Sequence, residues 1–194
     1  MQAARGTSLS DVTPGQSPSR SATRLRVAFV LVAVVCLAVD QITKALAVAH
    51  LTPGEPRRVV GPLLRFDLTR NAGAAFSTGT SHTEWFAALA IAASCAVVWF
   101  AFKARTRLWA VALGILLAGI LGNLVDRIVR APGQFRGHVV DFLEFPHWPI
   151  FNMADVCITI AAVLIVLQAM RGVPLSGRPA AEDGPESPAH EDHA

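Results

Sequence analysis

Charged residues are scarce in this sequence. Asp, Glu, Lys and Arg make up 16% of its 194 residues, 53% are hydrophobic, and the mean hydropathy is +0.45. Soluble domains carry about 25% charged residues, so the composition excludes an ordinary soluble globular protein and favours a membrane protein. The formal net charge is only +3, and there is no basic stripe with interleaved aromatic residues. Nucleic acid is therefore not expected as a partner.

Several chemical signatures are also absent. The cysteines Cys36, Cys95 and Cys157 lie in apolar stretches without CxxC or Cys/His spacing, which predicts buried small hydrophobic residues rather than disulfides or metal ligands. There is no Gly-x-Ser-x-Gly elbow and no His-Glu-x-x-His motif, so the usual signatures of serine hydrolases and zinc peptidases are missing. We predict no metal, no cofactor and no catalytic role for four histidines scattered through loops and span ends: His50, His82, His138 and His147.

Four long apolar stretches are present. Residues 27–49, 85–102, 108–129 and 151–170 are each long enough, at about 1.5 Å per helical residue, to cross the roughly 30 Å hydrocarbon layer. The first is too long for a typical signal core and ends without a small-x-small site, which predicts a retained span. The expected fold is an all-α membrane protein with four transmembrane helices.

Two polar tails flank the predicted membrane domain. Residues 1–24 are rich in Ser, Thr, Gly and Pro, and residues 172–194 are rich in Pro, Gly and acids. Such compositions bury too little apolar surface to fold. We predict disordered cytoplasmic tails on either side of a membrane domain at 25–171.

The distribution of charge suggests an orientation. An even number of spans places both termini on one side of the membrane. The link between the second and third spans is purely basic, with Lys103, Arg105 and Arg107, whereas the opposite loops combine seven arginines with several acids. Positive residues favour the cytoplasmic side, which predicts cytoplasmic termini and polar clusters at the outer face.

A small β region is predicted outside the membrane. Leu64, Phe66 and Leu68 alternate with polar residues after a Gly61-Pro62 turn, the period-two pattern of a half-buried strand. Residues 138–142 form a second extended piece. Pairing between the two pieces remains open at this point. Within the third span, Gly114, Ala118 and Gly122 recur every four residues and predict a face for close helix packing.

Polar residues near the ends of the spans are the candidates for function, because charged groups at membrane depth are costly without a partner. Asp40 and Lys44 stand at i, i+4, the better orientation for a helical ion pair; a structural pair and a role in shaping a site are both open. Asn123 and Arg127 share one helix face with Asp126 on the neighbouring row. Asp126 and Arg127 alone would also suit an interfacial anchor, but Asn123 needs hydrogen-bond partners that lipid does not offer.

The fourth span begins with Asn152 and Asp155, which could be a helix cap and a first-turn acid. Asp141 lies in the preceding loop between apolar residues. Two carboxylates in a poorly hydrated site cannot both ionise easily and share a proton. One can then activate water while the other donates a proton, as in aspartic proteases. We predict this role for Asp141 and Asp155; the sequence does not say which one is ionised at rest.

Five segments together resemble the lipoprotein signal peptidase family, also called signal peptidase II. They occur in order as DQITK at 40–44, NAGAAFS at 71–77, GNLVDR at 122–127, VVDF at 139–142 and FNMAD at 151–155. The resemblance covers about residues 27–170. It implies a bacterial inner-membrane aspartic endopeptidase that cuts prolipoproteins before a diacylglyceryl-modified cysteine.

The resemblance also implies roles for individual residues. Asp141 and Asp155 correspond to the catalytic pair. The expected partners are lipid-modified prolipoproteins and membrane lipid, and a monomer is expected. The alternatives are a small proton-coupled transporter and a non-enzymatic assembly or lipid-binding protein. The remaining site residues that the resemblance implies, as lining or organising positions, are Asn123, Arg127, Asn152, Asn71, Asp40, Lys44 and Asp126.

Overall fold

The computed structural model describes residues 20–73 and 83–176. Four helices within these ranges are long and apolar enough to cross a membrane, which confirms the predicted spans. Residues 20–24 of the predicted N-terminal tail belong to the first helix. Residues 1–19 and 177–194 of the two predicted tails lie outside the described ranges. The helices are α1 (Arg20–His50), α2 (Thr83–Lys103), α3 (Arg107–Val129) and α4 (Met153–Met170).

The helices α3 and α4 begin at polar caps. The Thr106 side chain accepts a hydrogen bond from the Trp109 backbone N–H before α3, and Asn152 caps α4. Such caps satisfy N–H groups that have no partner within the helix. The predicted fourth span began two residues too early, because Phe151 is extended and forms a β-bridge with Leu143.

Helix α3 is the centre of the bundle and packs against α1, α4 and α2. Its glycines allow this close approach. A Cβ atom added at Gly114 would lie 2.8 Å from the Phe29 carbonyl oxygen, and one at Gly122 would lie 2.5 Å from Asp40 Oδ2. The predicted small-residue face is thus a packing face of α3.

Helix α2 is peripheral, because it packs mainly on α3. Most of its surface is directed away from the bundle. The prediction that all three cysteines are buried is therefore wrong for Cys95 on α2, which is exposed. Cys157 on α4 is buried, and Cys36 on α1 is half-buried.

A three-stranded antiparallel sheet lies at one end of the bundle. Its strands are β1 (Arg57–Val60), β2 (Leu64–Asn71) and β3 (Val139–Glu144), in the order β1-β2-β3. The two predicted extended pieces therefore pair, with Thr69 opposite Asp141; β1 was not predicted. Leu68, Val140 and Phe142 pack with Ala47 near the end of α1, which anchors the sheet, and Asp141 with it, at this end of the helices.

Candidate active site

A cleft of about 640 Å³ lies where the sheet meets the ends of α3 and α4. Its polar lining contains six of the nine residues singled out in the sequence. Strands β2 and β3 supply two of them, and α3, α4 and the cap of α4 supply the others. The six are Asn71, Asn123, Arg127, Asp141, Asn152 and Asp155.

Asn152 links the two aspartates that were predicted to act together. Its side-chain Nδ2 donates to Asp141 Oδ1 at 2.6 Å, and its backbone N–H donates to Asp155 Oδ2 at 3.1 Å. In return, the Asp155 N–H donates to Asn152 Oδ1 at 3.2 Å, which completes a capping box. Asn152 is therefore both the cap of α4 and the residue that hydrogen-bonds to both carboxylates of the predicted pair.

Two further amides bind the carboxylate oxygens that Asn152 does not contact. Asn123 Nδ2 donates to Asp155 Oδ1 at 2.9 Å, and Asn71 Nδ2 donates to Asp141 Oδ2 at 3.1 Å. Asn123 Oδ1 accepts from Asn152 Nδ2 at 3.1 Å. The three asparagines orient the two carboxylates without bringing a positive charge to them.

Burial changes the acidity of Asp141. Its side chain is largely removed from water, and this desolvation raises its pKa from 3.8 to about 6. Hydrogen bonds from Asn152 and Asn71 lower the pKa, the charge of Asp155 raises it, and Lys44 lowers it. A carboxyl group with a pKa near 6 can hold or release a proton close to neutral pH, as a general acid must.

Asp40, Lys44 and Asp126 do not line the cleft but form a cluster behind it, with none of the three exposed. Lys44 Nζ lies 3.0 Å from Asp40 Oδ2 and 2.9 Å from Asp126 Oδ2. The predicted i, i+4 pair is therefore present, and Asp126 joins it from α3. Arg130 joins them, with its Nε 2.5 Å from Asp126 Oδ1. We refer to Asp40, Lys44, Asp126 and Arg130 as the ionic cluster.

Two members of this arrangement, Arg130 and Gln41, were not predicted from the sequence. Arg130 stands four residues after Asp126, a spacing that would have indicated an ion pair. Gln41 Nε2 donates to Asp40 Oδ2 at 3.0 Å and to the Gly122 carbonyl at 3.1 Å. Gln41 carries no charge, and its partner on α3 is distant in sequence, so no local pattern indicated its contact.

Arg127 extends along the cleft from α3. One of its terminal nitrogens donates to the Asn123 carbonyl at 3.2 Å, and its guanidinium lies 5.8 Å from the centre of the Phe86 ring. Its Nε has no hydrogen-bond partner among the described residues. This Nε is also shielded from solvent, so Arg127 has a buried donor without a partner beside the cleft.

The cleft also has an apolar lining. Trp148 is 66% exposed and Ile160 is 46% exposed. Apolar side chains beside a polar lining suit a ligand that has both a peptide group and a hydrophobic part. The apolar lining consists of Val139, Phe145, Trp148, Pro149, Ile150, Phe151, Val156 and Ile160.

Some predictions concern residues away from this cleft. His50 ends α1, and neither His138 nor His147 is among the lining residues of the cleft. His82 and residues 74–77 of the second motif lie outside the described ranges.

Comparisons with known proteins give related sequences and a related fold. A family model for signal peptidase II matches residues 32–171. The lipoprotein signal peptidase of Leifsonia xyli subsp. xyli is 44% identical over 87% of this chain and 79% of its own length. That of Mycobacterium avium is 43% identical over 82% of this chain and 85% of its own. A solved bacterial membrane enzyme superposes with a TM-score of 0.67 and 31% identity, covering 74% of this chain and 87% of the other.

Proposed function

Because the chain belongs to the signal peptidase II family, we propose that it is an aspartic endopeptidase in which Asp141 and Asp155 form the catalytic pair. It is a multi-pass peptidase of the bacterial inner membrane that removes signal peptides from prolipoproteins, cutting before the diacylglyceryl-modified cysteine. The observation that carries the aspartic mechanism is the pair of hydrogen bonds from Asn152 to the two carboxylates.

The two aspartates have different environments, which suit one to act as the base and the other as the acid. Asp155 lies in the first turn of α4, where the helix dipole and two N–H donors stabilise a negative charge. Asp141 is buried on β3 with a pKa of about 6. In this proposal Asp155 is the base and Asp141 holds the proton, as two interacting carboxyl groups do when their environments differ.

Hydrolysis then needs no other group. A water molecule loses a proton to Asp155 while its oxygen bonds to the scissile carbonyl carbon, and Asp141 gives its proton to the carbonyl oxygen. When the tetrahedral intermediate collapses, Asp155 gives its proton to the leaving amine, Asp141 takes a proton from a hydroxyl group of the intermediate, and the C–N bond breaks. Such acid–base steps contribute about 10²–10⁴-fold to a rate.

The polar residues around the pair have supporting roles. Asn152, Asn123 and Asn71 hold the carboxylates in place, so little reorganisation is needed when charge moves. Arg127 lines the cleft and offsets negative charge there. It cannot act as a base, because a guanidinium group stays protonated.

The position of the cleft suits a lipid-anchored substrate. With the termini in the cytoplasm, the sheet and the cleft lie at the outer face, where a diacylglyceryl group holds its chains in the outer leaflet. Exposed Trp148 beside the cleft is typical of a membrane interface. Anchoring through lipid fixes the peptide near the pair and lowers the entropic part of the barrier. A monomer suffices for this mechanism, because one chain supplies both aspartates.

Two substitutions test the proposal. Asp141→Asn and Asp155→Asn, purified in detergent, should bind a lipidated prolipoprotein but cleave it about 10²–10⁴-fold more slowly than the parent. Glu55→Gln, at an exposed acid outside the cleft, is the matched control and should cleave normally. Full cleavage by either aspartate variant would remove that residue from the catalytic role. Equal cleavage of an unlipidated substrate would contradict the lipid anchoring.

The transporter alternative finds no support. The relatives described above are lipoprotein signal peptidases. Asp141 and Asp155 lie at one end of the bundle, beside the sheet. Flux through proteoliposomes that is lost in Asp141→Asn would be the result expected of a transporter.

A further inference from the structure

Lys44 is the most completely enclosed cation among the described residues. It lies within the membrane-spanning part of α1 and is 0% exposed. Its Nζ lies within 3.4 Å of four oxygen atoms, which belong to Asp40, Asp126, Asn123 and the Gly122 backbone. Burying an ammonium group is costly unless it is paired and hydrogen-bonded, and here the pairing is complete. This cluster lies directly behind the catalytic pair.

Each carboxylate bound to Lys44 also holds the chain next to one catalytic aspartate. Asp40 Oδ1 accepts the N–H of Ala154 at 2.8 Å, the residue before Asp155. Asp126 Oδ2 accepts the N–H of Val140 at 3.1 Å, the residue before Asp141. The first contact joins α1 to the start of α4, and the second joins α3 to β3. Lys44 thus connects, through two aspartates, the two backbone segments that carry the pair.

A third route runs through a side chain. Lys44 Nζ donates to Asn123 Oδ1 at 3.1 Å, and Asn123 Nδ2 donates to Asp155 Oδ1 at 2.9 Å. An amide offers an acceptor on one side and donors on the other. A cation at the oxygen therefore fixes which side of Asn123 is directed at Asp155. Asn152 Nδ2 donates to the same oxygen, so Lys44 and Asn152 together hold the Asn123 amide in this orientation.

We propose that Lys44 is the positioning residue of the catalytic pair. It sets the separation of the segments around residues 140 and 154 through Asp126 and Asp40, and it orients the Asn123 amide toward Asp155. The proposal rests on the proposed function, because it assigns to Lys44 an effect on the geometry of that pair. Lys44 does not line the cleft, and its effect on cleavage is indirect.

The charges of the ionic cluster allow folding to be separated from catalysis. Asp40 and Asp126 are balanced by Lys44 and Arg130. Lys44→Met alone leaves one buried negative charge without a partner, which is strongly destabilising. The double variant Lys44→Met/Asp40→Asn removes one charge of each sign and keeps the contact between Arg130 and Asp126. The amide that Asp40→Asn introduces retains an oxygen that can accept the Ala154 N–H.

Cleavage kinetics give the first test, on purified full-length protein with a lipidated prolipoprotein. We expect the double variant to recover the unfolding midpoint that Lys44→Met loses. Its kcat should remain about 100-fold below the parent, since a misplacement of about 1 Å costs that much, and its KM should change less than about threefold. Lys103→Met is the control, because Lys103 is exposed at the far end of α2. A kcat that recovers together with folding would reduce Lys44 to a structural role and overturn the proposal.

A second test needs neither cleavage nor removal of Lys44. The chain has two lysines, Lys44 and Lys103, so selective ¹⁵N labelling of lysine gives two side-chain NMR signals. Asp155→Asn should move the Lys44 Nζ signal through Asn123 and leave that of Lys103 in place. An unmoved Lys44 signal would overturn the route through Asn123. If the parent protein shows the coupling but cleaves nothing, the proposed function fails, and the contact between Lys44 and Asp155 through Asn123 stands without a catalytic role.

Discussion

The domain contains two pairs of aspartates in neighbouring places with opposite surroundings. Asp40 and Asp126 are unexposed, and the cation of Lys44 lies between them. Asp141 and Asp155 line a cleft and receive hydrogen bonds from the amide groups of three asparagines. The first pair contacts cations directly, whereas the hydrogen-bond donors to the second are neutral amide groups.

This difference explains why two of the four carboxyl groups are suited to a structural role and the other two to proton transfer. A cation between two carboxylates offsets the negative charge of both and holds them in place. Amide donors orient carboxylates but do not cancel their charge, so that two such groups share a proton. The ionic cluster is therefore suited to hold the structure, and the cleft pair is suited to move protons.

The largest expected effect comes from breaking the ionic cluster. Asp126→Ala removes the partner that Lys44 and Arg130 share and should lower the free energy of unfolding by about 3–5 kcal/mol. Asp155→Asn should leave that free energy close to the parent value, because Asp155 has no ion-pair partner among the described residues. Denaturant unfolding in detergent micelles measures both. Similar losses for the two variants would abolish the distinction between the pairs.

Substitutions at two glycines of α3 should have a smaller effect on stability and test whether the ionic cluster affects cleavage. An alanine Cβ at Gly122 would meet Asp40 Oδ2 at 2.5 Å, and one at Gly114 would meet the Phe29 carbonyl at 2.8 Å, far from the cleft. Each overpacked contact should cost about 1–3 kcal/mol of stability, less the gain in helix propensity that both substitutions share. Only Gly122→Ala should also lower kcat, because it displaces a member of the ionic cluster. An equal fall in kcat for Gly114→Ala would show that general loosening of the bundle is enough to slow cleavage.

The pH dependence of cleavage tests the cleft pair more finely. The hydrogen bond from Asn71 lowers the pKa of Asp141, which is about 6 in the parent protein. Asn71→Ala removes that bond, so the pKa rises and Asp141 keeps its proton to higher pH. The alkaline limb of kcat/KM should move to higher pH, and the lost hydrogen bond of about 0.5–1.5 kcal/mol should lower the maximal rate about 2- to 13-fold. Thr69→Val on the same strand should leave the limb in place, and a limb that moves to lower pH would contradict the assignment of the proton to Asp141.

Local features of the cleft and the cluster were predictable from sequence. The pairing of Asp40 with Lys44 follows from a four-residue spacing on one helix, and the Asn152 cap follows from the start of an apolar run. The meeting of Asp141 with Asp155 was predicted from the cost of placing carboxylates near lipid and from the motif pattern. In each case the signal lies within a few residues or in a familiar set of motifs.

The contacts that join these features were not predictable in the same way. The bonds from Asp40 to Ala154 and from Asp126 to Val140 involve backbone N–H groups, which every residue except proline possesses and no pattern marks. They arise from the packing of α1, α3 and α4 around small residues, and from the register of β3 against β2. The same packing leaves α2 at the edge of the bundle, where Cys95 is exposed.

The smallest effect is expected from the ion pair on the sheet, which completes the comparison among charged groups. Arg65 lies 2.6 Å from Glu144 across β2 and β3, with side chains 38% and 18% exposed. Partly hydrated pairs of this kind contribute about 0–1 kcal/mol, because water already solvates both charges. Arg65→Gln should therefore change the free energy of unfolding by less than about 1 kcal/mol and leave kcat unchanged. A loss of unfolding free energy as large as that of Asp126→Ala would contradict this expectation. It would mean that burial of the charges does not determine how much an ion pair stabilises this protein.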